Sequence, residues 1–195
     1  MRVTLIAHGP TEGTRRGTFG DATDLLVRAP IPLRHGKALL VAPEPACLRT
    51  ASLLRAGGEA MAPEVIDGLR GPAMGEWTGL ALEDALARDP AGVQAWLQDP
   101  AIPPPDGESL ADHLARIGAV LDSHPWPESG AVVVATPFTV RAACAHALDA
   151  GPRALRHLDI APGTHARITR HAGMWRLAAV TPPRYCSTPD AREDA

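Results

Sequence analysis

Apolar residues form unbroken runs at only a few places in this 195-residue chain; elsewhere they recur among polar ones at helical spacing. The stretches "RVTLIA" near the N-terminus and "GAVVVAT" at 130–136 are short, β-branched and largely apolar. That is the pattern of strands covered on both faces. Toward the C-terminus, "HARITR" and "GMWRLAAV" are separated only by "HAG", which predicts a hairpin. Between these strands the period lengthens. In "ESLADHLARIGAVLDSH", Leu110, Leu114, Ile117 and Leu121 lie on one helical face, with Ser109 as N-cap and Asp112 three residues on as its partner. "TVRAACAHALDAG" repeats the pattern with Val140, Cys144 and Leu148 before Gly151, and "ACLRTASLLRAGG" does so before Gly57 and Gly58. "ALEDALARDP" and "AGVQAWLQDP" predict short helices closed by proline.

Buried strands alternating with helices predict an α/β fold, a three-layer α/β/α sandwich around a central, mostly parallel sheet. In such a fold the functional residues gather beyond the C-terminal ends of the strands, where His8 and Thr136 would both stand. The length suits one domain over residues 1–185, with residues 186–195, which have no apolar period, as a flexible tail. The proline-rich "DPAIPPPDGES" reads as a stiff connection into the helix after it.

Composition narrows the function classes. Hydrophobic residues make up 45% and charged residues 21%, the balance of a globular protein. A net charge of -3 lacks the basic excess of a nucleic-acid binder, and aromatics at 4% offer little for base stacking. No apolar run approaches the ~20 residues of a spanning helix, so no membrane partner is expected. Cys47, Cys144 and Cys186 are odd in number and far apart, and the opening Met1-Arg2-Val3 has no secretory pattern. Both features predict a cytoplasmic protein. The histidines at positions 113, 124, 146, 157, 165 and 171 show neither HxH nor HExxH spacing, and no cofactor signature appears, so neither metal nor cofactor is expected. Trp77, Trp96, Trp126 and Trp175 read as packing residues.

Five pieces in order carry a further signal: "LIAHGPTEGTRRG", "ACLRTASLL", "LRGPAMGEWTGLALEDA", "DGESLADHLARI" and "AVVVATPFTVRAACAHAL". In sequence and spacing they resemble the histidine phosphatase superfamily, the phosphoglycerate-mutase-like branch. The resemblance implies a His at the end of the first strand that attacks a phosphoryl group to form phosphohistidine. It also implies two arginines clamping the phosphoryl oxygens, a second His at the end of a later strand, and a carboxylic acid that protonates the leaving group. Such chemistry depends on a neutral imidazole in line with the leaving oxygen and on cations around the equatorial oxygens.

Carried over residue by residue, the nucleophile is His8, followed by Gly9. The preceding Arg is replaced by Ala7, with Arg15 or Arg16 as substitutes that reach back, and Arg49 matches the helix Arg. Thr136 stands where the second His is implied and either donates a hydroxyl to phosphate or caps the following helix. Gly71 stands where the acid is implied; Glu12, Glu76 and Glu108 are candidate replacements, each also readable as a surface or turn residue. The literal Arg34-His35-Gly36 string lies outside the strand context that such a motif requires and reads as a loop-to-helix junction.

The resemblance therefore implies phosphomonoester hydrolysis through phosphohistidine at His8, with phosphate bound by Arg15, Arg16, Arg49 and Thr136 and a small phosphorylated molecule or other anion as partner. The alternative is a catalytically impaired relative that binds an anion or a protein. The two differ in whether a carboxylate and two cations converge on the His8 imidazole.

Overall fold

In a computed structural model the described residues are 1–20, 26, 38–55 and 62–183. In chain order they form β1 (Arg2–Ala7), α1 (Glu12–Arg16), β2 (Ala38–Val41), α2 (Pro45–Arg55), β3 (Glu64–Val65), α3 (Leu82–Arg88), α4 (Pro90–Gln98), α5 (Leu110–Ser123), β4 (Ala131–Ala135), α6 (Pro137–Ala147), β5 (His165–His171) and β6 (Met174–Thr181). The two apolar runs that predict buried strands become the middle of one six-stranded sheet, ordered β3-β2-β4-β1-β5-β6. All five residues of β4 are buried, as are Val3, Leu5, Ile6 and Ala7 of β1. A strand buried at every position has side chains covered on both faces of the sheet. This supports the three-layer sandwich read from the alternation of elements.

β1 and β4 run parallel with Leu5 opposite Val133 and Ala7 opposite Ala135, and β2 runs parallel to both β4 and β3. β5 and β6 form the predicted hairpin, antiparallel to each other, and β5 is antiparallel to its neighbour β1. The sheet is thus parallel in its centre and antiparallel at one edge. β2 and β3 are strands that the sequence pattern does not single out. β2 is only four residues long, and β3 has two residues, both exposed. The Arg34-His35-Gly36 string lies outside the described residues, and the element after it, starting at Ala38, is strand β2 rather than a helix.

Helix boundaries follow local chemistry. Ser109 Oγ accepts the Asp112 N–H and donates to its carboxylate, capping α5 as its sequence predicts. Asp89 caps α4 with Pro90 at the first helical position, and Thr136 does the same for α6 ahead of Pro137. α1, for which no helix is read from the sequence, is a capped five-residue helix closed by Gly17 in the left-handed conformation. The predicted end of α6 at Gly151 comes earlier, at Ala147.

The tryptophans pack as expected. Phe19, Trp77 and Trp96 form a buried cluster with ring centroids between 5.4 Å and 5.9 Å apart. Gly75 is required where two loops cross. Its φ is +53° and a Cβ there would stand 1.9 Å from the Pro105 carbonyl oxygen.

Candidate active site

Three successive strand ends define the candidate site. The His8 N–H donates to the Ala135 carbonyl at 2.9 Å, and the Ala42 N–H donates to the Val134 carbonyl at 2.9 Å. The chain leaving β1, β4 and β2 therefore delivers His8, Thr136 and Glu44 side by side at the C-terminal edge of the parallel strands. This is where a sheet of this kind offers its crevice.

His8 is 5% exposed. Its Nδ1 lies 2.8 Å from the Gly9 carbonyl oxygen, which can only accept, so Nδ1 carries a proton. The backbone beneath is fixed from two sides. The Gly163 N–H donates to the His8 carbonyl at 2.9 Å, and the Gly9 N–H donates to Thr50 Oγ1 at 3.0 Å. Thr50 is fully buried in α2 and passes its own proton to the Ala46 carbonyl at 2.8 Å. Its hydroxyl thus links the His8–Gly9 turn to α2.

The predicted clamp is not assembled from the arginines named for it. Arg15 and Arg16 have side chains 62% and 71% exposed and pair with Glu12 at 3.3 Å and 3.4 Å, three and four residues back on α1. They are helix-surface ion pairs. Arg49 lies on the exposed face of α2, opposite the buried residues Ala46, Cys47, Thr50 and Leu54. The reason is periodicity: the α2 face that packs on the sheet passes through position 50, one residue beyond. Thr136 lies beside His8, where its Oγ1 accepts the Thr139 N–H at 3.2 Å and meets Thr139 Oγ1 at 3.1 Å. Of the two readings of Thr136, the cap is the one drawn in hydrogen bonds.

Nor do the carboxylates named as substitutes gather there. Glu12 serves Arg15 and Arg16, and Glu76 is exposed. Glu108 forms a two-pronged pair with Arg116, 2.8 Å to Nε and 2.6 Å to Nη2. The same guanidinium donates to the carbonyls of Gly68, Arg70 and Gly71. Thr139 Oγ1 reaches the Leu69 and Arg70 carbonyls from α6. Together they hold the 68–71 turn against the strand ends. His113, fully buried, accepts from Arg116 at Nδ1 across 3.0 Å. Its Nε2–H faces the Phe138 carbonyl without closing a hydrogen bond of full geometry. Burial and the neighbouring guanidinium pull the His113 pKa down to about 4, against the opposing pull of Glu108 and the Phe138 carbonyl.

Among the described residues, the carboxylate at these strand ends is Glu44. Its Oε1 accepts the Gly71 N–H at 2.5 Å, and a Cβ on residue 71 would lie 3.4 Å from that oxygen and 3.2 Å from Thr136 Oγ1. Beside it the Cys47 thiol is held well above its ordinary pKa by burial and then by the Glu44 carboxylate. Cys47 is thus a neutral thiol, unsuited to nucleophilic work. Glu44 carries only a faint sequence signal, as the first charged residue after the short apolar run "ALLVA", a run too short to mark a strand by itself.

Comparison with known proteins places this fold. A phosphatase of α-ribazole from Shigella flexneri superposes with a TM-score of 0.75, covering 92% of this chain and 96% of its own at 18% identity. A mycobacterial glucosyl-3-phosphoglycerate phosphatase solved with VO3 gives 0.71 over 91% and 96% at 22% identity. A 2,3-bisphosphoglycerate-dependent phosphoglycerate mutase of Rhizobium etli is 30% identical over 161 residues, 71% of this chain and 76% of the mutase. A bifunctional protein of Mycobacterium tuberculosis is 38% identical over 91 residues, which are 45% of this chain and 25% of that protein. The chain therefore spans about a quarter of the length of the first curated relatives it matches. The model of the histidine phosphatase superfamily (branch 1) matches residues 31–181, well over half of the sequence, and the chain belongs to that superfamily.

Proposed function

We propose that this superfamily member keeps the His8 pocket as a ligand-binding site and lacks the phosphoryl turnover of an efficient phosphomonoesterase. One observation carries the reading: among the described residues Arg15, Arg16 and Arg49 point to solvent or to Glu12, and the carboxylate at these strand ends, Glu44, is taken up by the Gly71 N–H. Phosphoryl transfer asks little covalent chemistry of a protein and depends on positioning and on cations around the transferred group. Loss of one such stabilising donor commonly costs ~10²–10³ in rate, and loss of a general acid ~10²–10⁴.

A second reading, His8 as a working nucleophile, is favoured by the imidazole itself. Its Nδ1–H is held by the Gly9 carbonyl, which fixes the ring and makes Nε2 the nitrogen that would attack phosphorus in the neutral imidazole. Phosphate release from a panel of phosphomonoesters separates the two, measured from about pH 5 to about pH 8, the span over which an imidazole changes charge. We expect wild type and His8→Ala to release phosphate at the same background rate. Turnover at ordinary phosphatase rates that disappears in His8→Ala would establish the second reading instead.

A further inference from the structure

The terminal hairpin is covered on one face and open on the other. Ile168 of β5 and Trp175 of β6 are buried, and the Trp175 indole N–H donates to the Asp122 carboxylate of α5 at 2.9 Å. Residues paired across neighbouring strands share a face. The opposite face carries one row of Arg2, Thr169 and Arg176, from β1, β5 and β6 in turn. Arg167 stands on it two residues along β5, paired with Thr4 of β1. All three arginines are exposed. Neighbouring strands are about 4.8 Å apart, so the three rise from the sheet within about 10 Å of one another.

No carboxylate answers them. The chain holds 22 acidic residues against 19 basic, yet among the described residues Arg2, Arg167 and Arg176 make no ion pair, whereas Arg15, Arg16, Arg70 and Arg116 each do. β6 also ends the sheet, so its outer N–H and C=O groups have no strand partner among the described residues. The plainer account is that charge on an edge strand guards against self-pairing. Arg176 alone would serve that end; Arg167 and Arg2 lie on inner strands, where no edge needs guarding.

We propose that this face docks an acidic segment of a partner protein, added to β6 as an extended strand with carboxylates turned toward Arg176 and Arg167. Backbone pairing along the open edge supplies affinity, and alternate acidic side chains supply specificity. Arg176 adjoins the added strand, Arg167 is one strand further, and Arg2 extends the positive field. Charge decides the occupant. A second copy pairing edge to edge would set two arginine-bearing strands side by side, and like charges across strands repel. A nucleic acid would find no Phe, Tyr or Trp on this face to stack on, and a polyanion longer than the patch meets a chain of net charge -3. Docking here is independent of what the His8 pocket binds.

The test is fluorescence anisotropy of a labelled eight-residue peptide of alternating Glu and Thr, the length of β6, titrated with the full chain at low salt. The expected result is saturable binding that weakens as salt rises and falls at least ~10-fold in the double variant Arg167→Glu, Arg176→Glu. Thermal unfolding checks that this variant folds. Should it not, the pair Arg167→Gln, Arg176→Gln is expected to show a smaller loss in the same direction. Hydrogen exchange with the peptide present is expected to slow the β6 amides and leave those of β3 unchanged. No saturable binding, binding that the substitutions leave unchanged, or binding without β6 protection overturns the proposal. So does a peptide of alternating Lys and Thr that binds as tightly. A single-stranded oligonucleotide of equal charge that binds more tightly and loses affinity in the same variants overturns it in favour of nucleic acid.

Discussion

Thr50 shows how much of the site is held by residues with no chemistry of their own. Its hydroxyl accepts the Gly9 N–H and donates to the Ala46 carbonyl, and it is fully buried. A valine of nearly the same shape would keep the packing but orphan a buried backbone donor directly after His8. An unsatisfied buried polar group costs about 1–3 kcal/mol, so Thr50→Val should lower unfolding free energy by that amount in urea titrations. A change within about 0.5 kcal/mol would mean that the Gly9 amide finds another acceptor. Residue-scale reading of the sequence finds His8 from its strand context and Thr136 as a cap, yet assigns the phosphate contacts to arginines that the structure turns outward. Helical position, one residue either way, decides whether a side chain on α2 meets the sheet or solvent, and sequence resemblance alone does not settle that register.

Among the elements, α5 holds the 68–71 turn in place through Arg116, Glu108 and His113. His113 supplies a pH handle on this contact. Its pKa falls from 6.5 in a model peptide to about 4 in the folded chain because burial and Arg116 disfavour the imidazolium. The unfolded chain therefore binds a proton at higher pH than the folded one. Stability from this group is complete above about pH 6.5 and is lost as pH falls toward 4, with a total on the order of 3 kcal/mol. Urea unfolding of wild type and His113→Asn across this range checks it. The expected result is a steeper loss of stability on acidification in wild type; parallel curves would show that the His113 shift is not what couples this helix to pH. The helix itself was legible in sequence from its apolar period and its Ser109 cap. The Arg116 network was not, because its acceptors are backbone carbonyls of a turn roughly one-quarter of the chain away.

For the whole molecule, sheet order sets the hierarchy of stability. β1 and β4 are flanked on both sides and buried on both faces, whereas β3 and β6 are the two edges. Hydrogen exchange followed by mass spectrometry should therefore find β1 and β4 amides last to exchange and those of β3 and the outer side of β6 among the first. β6 leaves Met174 and Val180 exposed at 58% and 47% along that edge. Protection of β6 equal to that of β4 would show that another chain covers the edge in solution. Among the described residues no helix is long and apolar enough to cross a membrane, in keeping with the hydropathy pattern.

By itself the sequence determined the class of fold, the two central strands, the terminal hairpin and the main helices, because each is specified by a local period, a cap or a turn. It also placed His8 at the end of a strand, since a buried apolar run followed by His-Gly is a local feature. Strands β2 and β3 were decided only by tertiary structure: two to four residues carry too little pattern, and they become strands by pairing with β4 and with each other. So was the meeting of His8, Thr136 and Glu44, which are far apart in sequence and adjacent only because three parallel strands end together. Local physics writes each strand and helix; the crevice exists only where the sheet lines up their ends.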